Sequence, residues 1–344
     1  MTSNTFISKI ICKQREYFAA GNTSNIEFRV QQLKQLKQLI ADSEGRIYKA
    51  LQLDLHKPML ECFTSEITII NKEIDNAFKY LKCWSSPQKV KVPWQLLPAS
   101  AIVRPEPLGV TLIISSWNYP LQLVIMPLIG VIVAGNCAVI KPSELAPHTS
   151  SLVAEIIANK FNPEYIKVVE GGIETSQNLI AEKFDYIFFT GSASIAKIVM
   201  TAAAKHLTPV TLELGGKNPC IIDADIDIKQ TIKRLTWGKF LNAGQSCLAP
   251  DYLLVNYHIK DDLLEEMRQH LQKAYGNDPQ LSPDYARIIN KKHFDRLEKL
   301  LKAGEIVIGG KINRDDLYIA PTVIDSITWE DDVMQEEIFG PILP

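Results

Sequence analysis

Residues 108–141 read LGVTLIISSWNYPLQLVIMPLIGVIVAGNCAVIK, and this stretch decides the fold. No formally charged residue occurs from Leu108 to Ile140, a length that would also suit a transmembrane helix. Polar and helix-breaking residues interrupt the run, namely Asn118, Pro120, Gln122, Pro127, Gly135 and Asn136. Because strands buried on both faces of a parallel sheet are continuously apolar, the pattern favours a buried strand, a turn, a buried helix and a second strand.

The same alternation of apolar runs and helical segments continues as far as residue 214. It predicts five strands, at 110–114, 137–140, 166–169, 186–189 and 210–214, with helices between them at 121–134, 150–159, 174–181 and 194–204. Strands separated by helices predict an α/β fold with a doubly wound parallel sheet and right-handed crossovers. Such a sheet binds ligands beyond the carboxyl ends of its strands.

The segments on either side of this region have different sequence patterns. Helical spacing marks residues 28–40 and 61–84, whereas the prolines within 85–100 predict a loop or a short hairpin. After residue 216 the pattern predicts helices at 223–238, 260–274 and 293–303, and strands at 253–255 and 306–308. Since 344 residues exceed the usual size of one hydrophobic core, we expect two domains.

Composition excludes several classes of protein. Apolar residues make up 46% of the chain and charged residues 22%, which is ordinary for a soluble globular protein. The net charge of -2 and the absence of a basic tract argue against nucleic acid and anionic membranes as partners. Six scattered cysteines without a Cys-x-x-Cys pair predict neither a disulfide framework nor a metal site. Without a secretion signal at the N-terminus, a reducing cytoplasm is the expected location.

Three residues are candidates for catalysis. Cys247 follows a glycine-led bend in Gly244-Gln245-Ser246-Cys247, while Glu213 precedes a glycine pair and Asn118 precedes Tyr119-Pro120. A thiol, a carboxylate and an amide are the parts needed to attack a carbonyl, to activate water and to hold an oxyanion. Taken singly, each has a simpler explanation, as an inert thiol, a structural carboxylate or a turn residue.

Loops after the predicted strands hold candidates for nucleotide binding. Lys141 and Glu144 follow the second strand of the sheet, and Gly191 and Ser192 follow the fourth. The first pair suits the hydroxyls of an adenosine ribose, and the second suits a phosphate at a helix N-terminus. The usual G-x-G-x-x-G fingerprint is absent. A solvated loop and a simple helix cap therefore stay open as alternatives.

Six blocks of sequence carry a resemblance to a known family. In chain order they are Trp117-Asn118-Tyr119-Pro120, Lys141-Pro142-Ser143-Glu144, Phe188-Phe189-Thr190-Gly191-Ser192, Glu213-Leu214-Gly215-Gly216-Lys217, Gly244-Gln245-Ser246-Cys247 and Glu337-Ile338-Phe339-Gly340-Pro341. Their content and order resemble the aldehyde dehydrogenases, and the Asn-Tyr-Pro variant resembles the class 3 or fatty aldehyde dehydrogenase branch. The resemblance covers residues 28–344.

The resemblance implies a domain organisation. Residues 1–84 and 102–212 would form the NAD(P)-binding domain, residues 85–101 a bridging and oligomerisation hairpin, and residues 213–344 an α/β catalytic domain that is incomplete at its C-terminus. It also implies a homodimer for the full-length protein. Membrane attachment is left undecided, with a membrane-peripheral form as the alternative to a cytoplasmic one.

The same resemblance assigns residues to the coenzyme. Lys141 and Glu144 would lie at the adenosine ribose, with Gly191 and Ser192 near the diphosphate. Two further residues enter only through the resemblance: Glu337 would hold the nicotinamide ribose, and Phe339 would pack nearby. The carboxylate of Glu144 would repel a 2'-phosphate, which favours NAD, with NADP as the alternative coenzyme.

The implied activity is the oxidation of an aldehyde to a carboxylic acid through a thiohemiacetal and a thioester on Cys247. Aliphatic medium-chain, long-chain or aromatic aldehydes are the expected substrates. A coenzyme-A-acylating relative would lack the base at Glu213, and a cofactor-independent cysteine esterase or thioesterase would need a histidine base. A non-catalytic fragment is the remaining alternative, since such enzymes continue for on the order of 100 residues beyond this chain, a large share of a domain core.

Overall fold

The computed structural model describes residues 4–344, which form two compact units. The first unit comprises residues 4–47, 64–144 and 149–213, and the second comprises residues 48–63, 145–148 and 214–344. The chain passes into the second unit for the last time between Glu213 and Leu214. The functions assigned above to the domains remain predictions.

The N-terminal part of the chain is helical. It contains α1 (Asn4–Ala19), α2 (Ile26–Asp42), α3 (Glu44–Leu55), α4 (Met59–Cys62) and α5 (Thr68–Trp84). A π-helical turn over Phe63–Ile67 separates α4 from α5, so the single helix predicted over 61–84 is interrupted. The antiparallel strands β1 (Gln88–Val90) and β2 (Ala101–Val103) then form the hairpin expected after residue 85.

A five-stranded sheet forms the centre of the first unit. Its strands are β3 (Val110–Ile114), β4 (Cys137–Lys141), β5 (Ile166–Val168), β6 (Tyr186–Gly191) and β7 (Val210–Leu214), in the spatial order β5-β4-β3-β6-β7. Strands β4 and β6 both pair in parallel with β3, and every residue of β3 and β4 is buried. The predicted parallel, doubly wound sheet is confirmed, and its strand order reverses between β3 and β6.

Four helices connect these strands, as the sequence pattern predicts. They are α6 (Gln122–Ala134), α7 (Pro147–Lys160), α8 (Ile173–Ala181) and α9 (Ala193–Ala204). The apolar run quoted above therefore folds as β3, α6 and β4. Helix α6 ends at Gly135, whose φ of 83° is the left-handed conformation that a glycine adopts without strain.

The second unit combines helices with small sheets. Its elements after residue 214 are β8 (Pro219–Ile222), α10 (Ile228–Phe240), β9 (Tyr252–Val255), α11 (Lys260–Tyr275), α12 (Lys291–Leu300), β10 (Glu305–Ile308), β11 (Ile312–Asn313), β12 (Tyr318–Ile319), β13 (Thr322–Asp325), α13 (Asp332–Gln335) and β14 (Ile342–Leu343). Strands β8 and β9 pair in parallel, while β13 joins β10 to β14. The buried side chains of Phe240, Met267 and Phe294 lie in one hydrophobic core.

Two predicted helix boundaries in the second unit are wrong. The helix expected from residue 223 begins at Ile228, because the Asp227 side chain accepts a hydrogen bond from the backbone N–H of Gln230 and caps the helix there. The helix expected to reach residue 303 ends at Leu300.

Among residues 4–344, no helix combines the length and the apolar character that a bilayer crossing requires.

Candidate active site

The first unit presents a binding edge where its strand order reverses. Ile114 of β3 and Phe189 of β6 are register partners, so Ser115 and Thr190 follow them at the carboxyl ends of adjacent strands. Within residues 4–344, both hydroxyl oxygens are buried and have no hydrogen-bond partner. A buried hydroxyl without a partner is unusual in a folded protein, and a polar ligand at this edge would satisfy it.

The predicted ribose residues lie together at the end of β4. The buried Lys141 ammonium donates hydrogen bonds to Glu144 Oε2 at 2.6 Å and to the carbonyl oxygen of Pro142 at 2.9 Å. The Glu144 side chain is 40% exposed, so its carboxylate is accessible from solvent. The pair therefore offers an ammonium and an accessible acceptor side by side, which is a suitable arrangement for the two hydroxyls of a ribose.

The predicted diphosphate residues lie at the N-terminus of α9. Ser192 is the N-cap and accepts a hydrogen bond from the backbone N–H of Ile195 at 3.5 Å. A Cβ atom on Gly191 would lie 2.6 Å from the Phe189 ring, so a larger residue at this position would have to displace that ring. The exposed helix N-terminus carries a partial positive charge that favours an anionic phosphate group.

Together, the unpartnered hydroxyls, the Lys141–Glu144 pair and the α9 N-terminus fit a dinucleotide at this edge of the sheet.

The three predicted catalytic residues are divided between the units. Asn118 is buried in the turn between β3 and α6, and Glu213 is exposed near the end of β7, both in the first unit. Cys247 is half-buried in the second unit.

Residues 241–250, here called the cysteine loop, have an unusual backbone. Asn242, Ala243 and Gly244 have φ angles of 53°, 52° and 73°, three successive residues in the left-handed region. The buried Gln245 side chain donates to the carbonyl oxygens of Asn242 and Arg287, each at 2.9 Å. The side-chain amide of Asn218 donates to the carbonyl oxygen of Cys247 at 2.8 Å. The backbone on both sides of the thiol is therefore fixed by side-chain hydrogen bonds.

A second segment, residues 337–341 and here called the Glu337 segment, packs against the cysteine loop. A Cβ atom added to Gly244 would lie 2.3 Å from the carbonyl oxygen of Gly340, so the two backbones are in close contact. The half-buried Glu337 lies against Gly215 and accepts a backbone hydrogen bond from Gly216. Burial raises the pKa of the Glu337 carboxyl, and this hydrogen bond opposes the shift. The glycine pair after Glu213, the cysteine loop and the Glu337 segment are thus neighbours within the second unit.

Charged side chains anchor the Glu337 segment. Lys217 forms an ion pair with the buried Asp251 at 2.5 Å, and Asp251 accepts a hydrogen bond from the backbone N–H of Ile338 at 3.0 Å. Arg296 donates to the carbonyl oxygen of Ile338 at 2.5 Å. Lys217 belongs to one of the quoted blocks, yet the sequence assigns it no role. Asp251 and Arg296 carry no motif signal, because they become neighbours only through the fold.

Lys239 is the most unusual charged residue of this unit. Its side chain is fully buried, and its ammonium has no hydrogen-bond partner in the part of the chain that the structure describes. Burial lowers its pKa to about 8, while the charges of Asp251 and Glu337 act in the opposite direction. The ammonium therefore contributes positive charge next to the Glu337 segment without a direct hydrogen bond.

Comparison with known proteins shows which class this fold and these motifs define. Residues 2–344 match the aldehyde dehydrogenase family. The chain belongs to that family and is an NAD(P)-dependent oxidoreductase with a Rossmann-like coenzyme sheet.

Two curated relatives resemble this chain along nearly its whole length. It is 48% identical over 332 residues to a 4,4'-diaponeurosporen-aldehyde dehydrogenase of Staphylococcus aureus, covering 96% of this chain and 72% of that protein. It is 42% identical over 338 residues to the dimeric NADP-preferring aldehyde dehydrogenase of Canis lupus familiaris, covering 98% and 75%. The chain therefore spans about three quarters of these relatives.

Two solved structures have a similar fold. The substrate-bound state of Staphylococcus aureus AldH matches with a TM-score of 0.96 and 46% identity, covering 98% of this chain and 74% of that one. A Mycobacterium tuberculosis aldehyde dehydrogenase complexed with NAD+ matches with a TM-score of 0.90 and 26% identity, covering 100% and 73%.

Proposed function

We propose that this protein oxidises an aldehyde to the carboxylic acid, with Cys247 as the nucleophile. The observation that supports this most directly is the cysteine loop itself, whose half-buried thiol follows a fixed left-handed turn in contact with the Glu337 segment. A nucleophile held on a tightly constrained backbone is positioned for attack at little further entropic cost.

The first step is addition of the deprotonated Cys247 thiol to the aldehyde carbon. An ordinary cysteine is only slightly ionised at neutral pH, so the backbone dipoles of its loop have to favour the thiolate. The carbonyl oxygen becomes an oxyanion, and the side-chain amide of Asn118 and the backbone N–H of Cys247 are its proposed donors. Each such donor contributes a few kcal/mol to the transition state. The product is a thiohemiacetal on Cys247.

The second step turns this adduct into the acid. Bound NAD(P) would supply the acceptor for the hydride that leaves the thiohemiacetal carbon, and a thioester would then remain on Cys247. Glu213 then takes a proton from water as the water oxygen adds to the thioester carbon. Collapse of that adduct breaks the carbon–sulfur bond, which releases the acid and restores the thiolate. An exposed carboxylate suits this step because water reaches it directly.

In the same proposal, Lys141 and Glu144 bind the adenosine ribose, and Gly191 and Ser192 bind the diphosphate. Glu337 holds the nicotinamide ribose, and Phe339 packs beside it. The accessible carboxylate of Glu144 supports NAD as the preferred coenzyme, although the canine relative is named NADP-preferring. We further propose a homodimer, which the name of that relative also supports, in the cytoplasm.

For the substrate we propose aliphatic medium-chain, long-chain or aromatic aldehydes. One relative is named for action on 4,4'-diaponeurosporen-aldehyde. NADH formation with hexanal, decanal, hexadecanal and benzaldehyde would rank these substrates by kcat/KM.

Replacement of the nucleophile tests the mechanism. We expect Cys247→Ser to reduce NADH formation to background while NAD affinity changes less than about twofold, because the thiol acts in chemistry and not in coenzyme binding. Cys220→Ser is the matched control, since Cys220 is a half-buried cysteine of the same unit whose pKa is raised by burial. Normal turnover in Cys247→Ser would refute the assignment.

The same assay separates the alternatives. Hydrolysis of a thioester in the absence of NAD, without NADH formation from any aldehyde, would favour a cofactor-independent thioesterase. NAD binding without either activity would favour a non-catalytic fragment.

A further inference from the structure

The left-handed turn of the cysteine loop is hydrogen-bonded to an acceptor from a distant part of the chain. Residues other than glycine seldom have left-handed backbone angles unless their surroundings hold them in that conformation. Asn242 and Ala243 both do so. The backbone N–H of Asn242, the first residue of the turn, donates a hydrogen bond to Glu61 Oε2 at 2.9 Å. The two residues are separated by 181 positions in the sequence.

Glu61 is a buried residue of the second unit. It belongs to helix α4, and its side chain is 8% exposed. A buried carboxylate is retained in a protein only where hydrogen bonds or charges compensate for its desolvation. The Asn242 N–H supplies such a bond, and the buried Lys57 supplies a positive charge.

The loop is also held from its other side. Gln245 binds the carbonyl oxygens of Asn242 and Arg287, and Asn218 binds the carbonyl oxygen of Cys247. These contacts hold carbonyl oxygens within the loop and beside it, whereas Glu61 accepts the N–H with which the turn begins.

We propose that Glu61 is a positioning residue for the nucleophile: its carboxylate fixes the turn at residues 242–244 and thereby the direction in which the Cys247 thiol is presented. The inference rests on the proposed role of Cys247. Glu61 acts through the backbone of Asn242 and takes no part in bond making.

The surroundings of Glu61 add a pH dependence. Burial raises its pKa to about 7, Asp284 acts in the same direction, and Lys57 and the Asn242 N–H oppose the shift. Tyr275 also lies within electrostatic range of this carboxyl. A carboxylate accepts a hydrogen bond more strongly than a neutral carboxyl does. The turn is therefore held most firmly above pH 7 and less firmly below it.

The experiment compares Glu61→Gln and Glu61→Ala with wild type. Glu61→Gln keeps an acceptor oxygen and removes the charge, whereas Glu61→Ala removes both. The matched control is Glu265→Gln, an exposed glutamate on α11 of the same unit. Two rates are measured, the alkylation of Cys247 by iodoacetamide, followed by mass spectrometry, and kcat for aldehyde oxidation at saturating NAD.

We expect Glu61→Ala to lower both rates at least tenfold and Glu61→Gln to lower them about threefold, while the control stays at the wild-type level. The ratio of the wild-type alkylation rate to the Glu61→Gln rate should fall towards one as pH decreases from 8 to 6, because wild type then becomes neutral at this position. Wild-type Cys247 reactivity and kcat in both variants would overturn the proposal. So would a rate ratio that does not change with pH.

The alkylation rate keeps this inference separate from the proposed function. If wild type oxidises no aldehyde, the proposed function fails, yet the reactivity of Cys247 in the Glu61 variants still decides the role of Glu61. If Glu61→Ala does not fold, the pH dependence of Glu61→Gln alone supports or overturns the proposal.

Discussion

The two glutamates of the proposed mechanism have different surroundings that suit different tasks. Glu213 is exposed near the end of β7, where water reaches its carboxylate. Glu337 is half-buried, lies against Gly215 and accepts a hydrogen bond from the Gly216 N–H. A carboxylate already engaged by the backbone is better suited to hold a ligand than to move protons. These surroundings support assigning water activation to Glu213.

We predict that Glu213→Gln separates the two halves of the reaction. The first turnover should still release a burst of NADH, since thioester formation does not use this base, whereas steady-state turnover should fall about 100-fold or more. Stopped-flow absorbance at 340 nm measures both phases. Glu305→Gln, at another exposed glutamate, should leave both unchanged. A burst reduced as strongly as the steady-state rate would contradict the role assigned to Glu213.

We predict that Lys239 makes stability depend on pH in the alkaline range. Its pKa is about 8 in the folded state and has an ordinary value of 10.5. Between pH 8 and pH 10.5 the Lys239 side chain is protonated in the unfolded chain and neutral in the folded protein. The free energy of unfolding therefore rises with pH in this range, and this gain is lost as pH falls towards 8.

The free energy of unfolding of wild type relative to Lys239→Met should therefore increase between pH 8 and pH 10, by about 1 kcal/mol per pH unit. Urea unfolding at several pH values measures the difference. Lys229→Met, at an exposed lysine of the same helix, is the control and should show no such trend. A constant difference between wild type and Lys239→Met would contradict the prediction.

The N-terminal N–H groups of helix α6 are bound by an acceptor from outside the helix. No side chain of its own caps its N-terminus. Instead, the buried carboxylate of Glu66, in the π-helical turn between α4 and α5, accepts the backbone N–H groups of Leu121 and Gln122 at 2.9 and 3.1 Å. The turn that contains Asn118 directly precedes this helix end. Glu66 therefore fixes the start of the helix that directly follows the turn with the proposed oxyanion donor.

We predict that Glu66→Ala lowers the free energy of unfolding by about 2–4 kcal/mol, because two buried N–H groups lose their acceptor. Glu66→Gln keeps one acceptor oxygen and should lose less. Glu106→Ala, at an exposed glutamate of the same unit, should have little effect. Urea unfolding provides the comparison, and equal stabilities of Glu66→Ala and Glu106→Ala would refute the cap.

The elements differ in how far the sequence alone predicts them. The bounds of β3 agree fully with the apolar run at 110–114, because a strand that is buried on both faces is apolar from end to end. Those of β7 agree with the prediction for 210–214, although this edge strand contains Thr211 and Glu213 and is half-buried apart from the exposed Glu213. The predicted start of helix α10 is five residues too early, since Asp223, Asp225 and Asp227 all suit an N-cap and only Asp227 accepts the capping hydrogen bond from the Gln230 N–H. The short strands β11, β12 and β14 have no local pattern because distant pairing defines them.

The candidate site shows the same limit. Motifs identify Cys247, Glu213 and Asn118, because each lies beside a glycine or proline that shapes the chain. Of the residues that fix the cysteine loop, Glu61 lies in no motif, and Asn218 lies beside Pro219 without any sign that its side chain reaches the loop. Their side chains meet the loop from 181 and 29 positions away, so only the folded backbone reveals them.

The proposed tasks are distributed over the two units. The first unit holds the dinucleotide edge, with Lys141, Glu144 and the N-terminus of α9. The second holds the cysteine loop and the Glu337 segment. A ligand that binds only the folded state stabilises the protein in proportion to the logarithm of the ligand concentration. Coenzyme binding should therefore slow hydrogen exchange at a separate place in each unit.

We predict that NAD at about 100 times its dissociation constant protects two places from hydrogen exchange. The amides of β4, β6 and the first turn of α9 should gain protection of up to about 2.7 kcal/mol, and residues 337–340 should gain some as well. Amides of α11 that exchange through local opening provide the internal reference and should not change. Glu337→Gln should abolish the protection at residues 337–340 while that at α9 persists. Protection confined to the second unit would refute the assignment of the coenzyme to the sheet edge. Unchanged exchange at residues 337–340 in wild type would refute the assignment of Glu337 to the binding site.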